Sequence, residues 1–240
     1  MNVSRFCSRL FALCRTPARW AVVFVSAASL MACGDSSSNS DSDGGNNGGA
    51  NSGDGGSYTV AGELPDYDLG EKMISASNDS TLAEGTLAAD GTFEVTFAGE
   101  SDIEEELQSI AENGSSLDGF PGFACGQEAY NQVGGDIRFV AVPGLTFLEN
   151  STPRVVALTS PNASRPDITF PLPSVDAQVV RWIYAEEAVT IETSCDNGET
   201  TMDMELDAGW NEYVIDRRDR SEIRQYTGDR PSPLEWKVDE

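Results

Sequence analysis

Val189-Thr190-Ile191-Glu192-Thr193-Ser194-Cys195-Asp196-Asn197-Gly198-Glu199-Thr200-Thr201-Met202-Asp203-Met204-Glu205-Leu206-Asp207 decides the class of fold. Val189 and Ile191 alternate with polar residues in the first arm, and Met202, Met204 and Leu206 do so in the second. Successive side chains of a strand point to opposite faces, so a period of two buries one face and wets the other. Asp196-Asn197-Gly198 between the arms supplies residue types that accept positive φ, as a tight hairpin turn requires. The stretch predicts strands over 189–195 and 200–206, folded back on one turn.

Working outward, Phe93-Glu94-Val95-Thr96-Phe97 alternates just as cleanly after the turn Ala89-Asp90-Gly91. The more apolar runs 137–142 and 155–158 predict central strands buried on both faces. Runs 179–184 and 189–193 are expected as neighbours in one sheet. One helix is predicted over about 101–113: Ser101 stands as N-cap with Glu104 completing a capping box, and Ile103, Leu107 and Ile110 recur at helical spacing. Asn113-Gly114 supplies its stop, and the acids Asp102, Glu104, Glu105 and Glu106 suit the positive end of the helix dipole. Many short strands, Gly and Pro turns and one short helix predict an all-β protein, a β-sandwich over residues 58–240.

Charge narrows the classes of function. The 240 residues hold 40 acidic and 15 basic side chains, a formal net charge of −25. Only Lys72 and Lys237 are lysines. Such a surface repels nucleic-acid phosphates and anionic headgroups and suits a protein kept in solution at high external salt. Histidine is absent throughout, which removes the usual general base near neutral pH and any Ser-His-Asp or Cys-His arrangement. No catalytic residue, cofactor or metal ligand is nominated, and an enzyme here would have to work by carboxylate or hydroxyl chemistry.

Ahead of the globular part, a basic region precedes the apolar run Ala21-Val22-Val23-Phe24-Val25-Ser26-Ala27-Ala28-Ser29-Leu30-Met31. The run is shorter than the roughly 20 apolar residues of a spanning helix and has the length of a signal-peptide h-region. Leu30-Met31-Ala32-Cys33 then resembles the lipobox of bacterial prolipoproteins: branched apolar residue at −3, small residue at −1, cysteine at +1. The resemblance implies that Cys33 takes a diacylglyceryl group, that a peptidase cuts between Ala32 and Cys33, and that the new amino terminus is acylated. Met31 at −2 departs from the commoner small or polar residue. Gly34 is not the aspartate that resembles an inner-membrane retention signal, so the outer membrane is the expected destination in a cell with two membranes. The organisation expected is a lipoprotein signal peptide over 1–32, a lipidated Cys33 with a Gly/Ser/Asn/Asp linker to residue 57, and the sandwich from 58. The linker contains no large apolar residue and cannot bury enough surface to offset the entropy of ordering it. Within it, Asn39-Ser40-Asp41-Ser42-Asp43-Gly44 looks like the opening of a calcium loop, but Ala50 stands where the bidentate Glu is required.

Cys7 and Cys14 fall in the segment expected to be removed and Cys33 carries lipid, leaving Cys125 and Cys195. In an oxidising envelope these two are expected to pair; the alternative is two buried thiols. Residues 58–97, with Val60-Ala61-Gly62, a middle strand near 73–77 and Asp90-Gly91-Thr92-Phe93, resemble the start of transthyretin-like or carboxypeptidase-regulatory-like domains. The stretch with Trp182-Ile183-Tyr184-Ala185, Cys195, Leu206, Gly209-Trp210-Asn211 and the late Trp236 resembles uncharacterised β-rich envelope lipoproteins. These resemblances imply fold and location and carry no activity.

The expected function is a membrane-anchored envelope lipoprotein whose non-catalytic sandwich serves interaction or structure, with the membrane as partner through Cys33 and an envelope protein or glycan beyond it. The alternative is a small-ligand or glycan-binding lipoprotein using Trp182, Tyr184 and Trp210 as an aromatic platform, set against their use as core. Its calcium-stabilised form would draw on loop acids such as Asp66 and Asp68. The pairs Glu186-Glu187 and Asp216/Asp219 read as solvated edges, and residues 115–135 as a long loop able to bind. Arg217, Arg218 and Arg220 form one basic knot, expected to pair with Asp216, Asp219 and Glu222.

Overall fold

The computed structural model describes residues 58–77, 79–109, 124–134, 136–163, 177–217, 219 and 221–239. The expectations for the signal peptide, Cys33 and the linker lie outside these residues.

The described chain is all-β and sandwich-like. In chain order its strands are β1 (Thr59–Glu63), β2 (Lys72–Ala76), β3 (Ala83–Leu87), β4 (Thr92–Phe97), β5 (Gln108–Ser109), β6 (Arg138–Val142), β7 (Leu145–Glu149), β8 (Thr152–Thr159), β9 (Gln178–Ala185), β10 (Val189–Cys195), β11 (Thr200–Leu206), β12 (Gly209–Asp216), β13 (Ile223–Tyr226) and β14 (Glu235–Val238). Two helices join them, α1 (Glu100–Ile103) and α2 (Gly126–Val133). Hydrogen bonds link the strands in the order β1-β4-β3-β2-β7-β8-β9-β12-β13-β11-β10, with β14 on β8, and β6 on both β9 and β5. The pairs are antiparallel except β11 with β13, which run parallel.

β9 organises the interior, because all eight of its residues are buried. Val180, Trp182 and Tyr184 face a first core and Val179, Ile183 and Ala185 a second. β12, paired along its whole length with β9, divides likewise: Trp210 and Val214 join the first core, Tyr213 and Ile215 the second. The first core is completed by Ile74, Leu87, Phe93, Val95, Phe97 and Phe147 from the N-terminal strands and by Trp236 of β14. β10, β11 and α2 close the second with Ile191, Met202, Met204, Leu206 and Ala129. Each fully buried aliphatic or phenyl side chain contributes about 1.5–3 kcal/mol, and β9 and β12 make that contribution on both faces.

The predicted hairpin forms as expected, Cys195 pairing with Thr200 and Val189 with Leu206. Its turn holds Asp196, Asn197 and Gly198 at φ of 53°, 59° and 91°. β4, β6, β8 and β9 also lie where alternation or apolar runs placed them. The expectation that 179–184 and 189–193 are neighbours is corrected: β12, β13 and β11 stand between β9 and β10.

The helix expected over 101–113 is also corrected. Gly99, not Ser101, is its N-cap, without a side-chain capping bond, and the helix stops after one turn at Ile103. Ile103 and Leu107 are both buried in the first core, but Gln108 and Ser109 pair with Phe139 and Arg138 of β6. Non-local sheet pairing takes the backbone groups that another helical turn would use; residues 110–113 lie outside the described set. In contrast, α2 occupies part of the stretch read as a loop. Cys125, Ala129, Tyr130 and Val133 recur at helical spacing against the second core, and Gly134, at φ 76°, ends the helix.

Candidate functional site

Trp182, Tyr184 and Trp210 are 0%, 6% and 7% exposed, which corrects the exposed-platform reading of these three rings. They belong to one buried aromatic cluster. Trp182 stacks on Trp236 at 6.2 Å, Trp210 meets Phe97 edge-on at 4.8 Å, and Tyr184 meets Trp210 at 5.5 Å. The register explains why: Trp210 pairs with Tyr184 across β12 and β9, and Trp182 shares the face of Tyr184, so all three point into the first core. Trp210 also donates its Nε1–H to the Ala98 carbonyl at 2.8 Å, satisfying the indole inside the protein.

Cys125 and Cys195 are disulfide-bonded, with Cα atoms 5.7 Å apart. The bond joins the residue that caps α2 to the end of β10. Their sulfurs and Glu128 form the one group of three potential metal-ligating side chains within 4.8 Å among the described residues, but both sulfurs are engaged with each other. Asp66 and Asp68 are exposed and belong to no such group.

The acid pairs resolve individually. Arg138 engages Glu186 at 2.5 Å, and hydrogen bonds from Arg138 hold the Glu186 carboxyl below the usual carboxylate range; Glu187 is exposed. Asp216, buried, accepts from Gln178 Nε2 at 2.8 Å; Asp219 accepts from Ser221, and Glu222 pairs with Arg224. Arg218 and Arg220 of the basic knot lie outside the described residues.

A further cleft lies where none of these expectations pointed. β13 has four residues and ends at Tyr226, while β11 and β12 on either side continue past it. Thr227 holds the departing chain: its N–H bonds to the Asp203 carbonyl and its hydroxyl accepts from the Glu205 N–H at 2.8 Å. The early end of β13 leaves a notch between β11 and β12, closed behind by Tyr58 at the start of β1. The result is a cleft of about 390 Å³ lined by Tyr58, Glu205, Asp207, Asn211 and Glu212 with the Thr227-Gly228 turn. Asn211 braces the rim, its amide donating to the carbonyls of Asp207 and Gly209 at 2.8 Å and its Oδ1 accepting from the Asp207 N–H.

Glu212 pairs with a base: Arg230 Nε lies 2.7 Å from its Oε2, and a second contact joins Arg230 to Oε1. Behind it, Tyr58 is 4% exposed. Its hydroxyl and the Trp182 Nε1–H are buried without a hydrogen bond of ordinary geometry, and lie next to each other and to Glu212. Burial above all, and then the negative charge of Glu212, push the Tyr58 hydroxyl far up, so it stays a neutral phenol. Elsewhere on the surface, Met73 and Leu148 are exposed large apolar residues, placed side by side by the pairing of Ile74 with Phe147.

No protein-family model, curated protein or solved structure matches this chain.

Proposed function

We propose that this chain is the precursor of a cell-envelope lipoprotein, lipid-anchored at Cys33 and facing its surroundings with a non-catalytic β-sandwich that serves interaction or structure. The observation that carries this is Leu30-Met31-Ala32-Cys33 directly behind the apolar run 21–31. A small residue at −1 fits a narrow protease site, and only a sulfur nucleophile yields the thioether. At about 0.8 kcal/mol per buried methylene, two or three acyl chains make a tether that one chain would not. The disulfide between Cys125 and Cys195 supports export to an oxidising compartment. The linker to residue 57, built of Gly, Ser, Asn and Asp, would let the sandwich reach away from the bilayer surface.

The test is metabolic labelling of cells that express the full chain, using an alkyne-tagged fatty acid. Label on the protein that disappears in Cys33→Ser, together with loss from the membrane fraction, is the expected result. An unlabelled wild-type chain, or label that persists in Cys33→Ser, sinks the anchor. Crosslinking in living cells, compared with the same variant, then asks for a recurring protein partner in near-equal amount.

A second reading, binding of a small ligand, is favoured by the cleft between β11 and β12, where a polar hydroxyl is buried behind a set of carboxylates.

A further inference from the structure

We infer that the cleft between β11 and β12 binds an organic cation, an ammonium or guanidinium group. The inference specifies the ligand of the small-molecule reading and stands apart from lipidation of Cys33.

The sign of the ligand follows from the lining. Glu205, Asp207 and Glu212 are all acids, and Arg230 pairs with Glu212. Anions are therefore repelled, and a cation entering a partly enclosed site gains more from each carboxylate than it would in bulk water.

The shape of the ligand follows from spacing. A calcium ion gathers six to eight oxygens at about 2.3–2.6 Å and needs its carboxylates to converge. The three carboxylates of the cleft do not come within 4.8 Å of one another as a set. A planar guanidinium with five N–H donors, or an ammonium with three, can instead bridge acceptors that stand apart. A neutral sugar would need an exposed ring face to stack on, and the one aromatic residue in the lining, Tyr58, is buried. A volume of about 390 Å³ lies within the roughly 300–1,000 Å³ of small-ligand sites.

Tyr58 makes this more than a group of surface acids. Its hydroxyl sits beside Glu212 at the back of the cleft, buried and without a hydrogen bond of ordinary geometry, although buried polar groups are nearly always paired. As a neutral phenol it offers a lone pair to an incoming N–H while turning its own proton towards Glu212. The ligand thus meets charged acceptors at the rim and an uncharged one behind them, an arrangement that selects N–H donors over bare metal ions.

The same chemistry could arrive as a free amine or as a Lys or Arg side chain of a protein. The test is a ligand-observed NMR titration of the full-length protein, purified in detergent at physiological salt. The probes are agmatine, putrescine, a capped Gly-Arg-Gly tripeptide and calcium chloride. Agmatine or putrescine binding while the tripeptide does not identifies a free amine as the source; equal binding of the tripeptide identifies a protein side chain. For the probe that binds, Glu205→Gln should weaken affinity by about tenfold, the scale of one charge-assisted hydrogen bond. Tyr58→Phe keeps the ring that packs on Phe97 and should cost about fivefold. Glu84→Gln, an exposed acid on β3 that does not line the cleft, removes the same charge and should change affinity by less than about twofold. Circular dichroism confirms that each variant is folded. Absence of binding by all three organic probes overturns the inference, as does calcium displacing them at equal concentration. An equal loss in Glu84→Gln overturns it too, because binding would then be diffuse attraction to an acidic surface. Unchanged affinity in both Tyr58→Phe and Glu205→Gln does the same.

Discussion

Asp79, Asp90 and Asp219 each accept two hydrogen bonds from the residue two places on, the backbone N–H and hydroxyl of Thr81, Thr92 and Ser221, at 2.7 to 3.0 Å. These bonds hold all three carboxyls below their ordinary range, the N–H having the larger influence at Asp79 and Asp219 and the hydroxyl at Asp90. Part of the acid excess thus goes into turn-making. Glu186 differs in depending on a distant partner, Arg138. A carboxyl depressed in the folded state adds stability above its unfolded value, about 4.3 for Glu, and that stability is lost as pH falls through the folded value. Arg138→Ala is therefore expected to lower Tm near pH 7, by an amount that shrinks towards zero below about pH 4; a gap independent of pH would show that the ion pair is not its cause. Gly62 illustrates a steric constraint, since a Cβ there would collide with the Trp236 indole and come within 2.6 Å of Phe93 Cζ. Gly62→Ala should cost about 1–3 kcal/mol, the range of overpacked cores, read by denaturant unfolding.

At the scale of elements, α2 is held at three points. Cys125 is bonded to Cys195, the Ala124 N–H donates to Gln225 Oε1 at 2.7 Å, and Gln132 Oε1 accepts from the Glu192 N–H of β10 at 2.9 Å. The disulfide spans 70 residues of sequence, and closing a loop of that length stabilises by about 4 kcal/mol in the chain-entropy account. Paired substitution Cys125→Ala with Cys195→Ala should lower the unfolding free energy by about 2–5 kcal/mol. Identical denaturation midpoints would mean that packing of Ala129 and its neighbours holds the helix unaided. The existence of this helix could have been suspected from the four-residue spacing of Cys125, Ala129 and Val133 before Gly134-Gly135. Its glycines and the preceding Pro121 masked the pattern. The helix predicted over 101–113 failed for the opposite reason: a sound local signal at Ile103 and Leu107 was overridden by pairing of Gln108 with Phe139.

For the whole molecule, two cores share the wall formed by β9 and β12, and an acidic surface surrounds them. The three tryptophans of the described chain lie in the first core, none more than 7% exposed. A chain cut before Cys33, as proposed, and so lacking Trp20, should show blue-shifted fluorescence that iodide or acrylamide quenches poorly. Strong quenching would contradict the burial of Trp182, Trp210 and Trp236. A net charge of −25 stores self-repulsion that salt relieves. Raising sodium chloride from about 0.01 M to about 0.15 M shortens the Debye length from about 30 Å to about 8 Å, so Tm should climb over that interval. A flat response would place the acids too far apart, or too well paired, for their repulsion to matter.

The sequence by itself determined the all-β class, the strands at β4 and β9, and the hairpin of β10 and β11. All follow from alternation, apolar runs and turn chemistry, which act along a few residues. Tertiary structure alone decided that Trp182, Tyr184 and Trp210 are core, because their burial depends on which strands stack against β9 and β12. It alone formed the cleft, since Tyr58, Glu205 and Glu212 come from separate segments and converge where β13 ends before its neighbours. Among 40 acids, no local pattern distinguishes those that a missing length of strand brings together from those that merely face water.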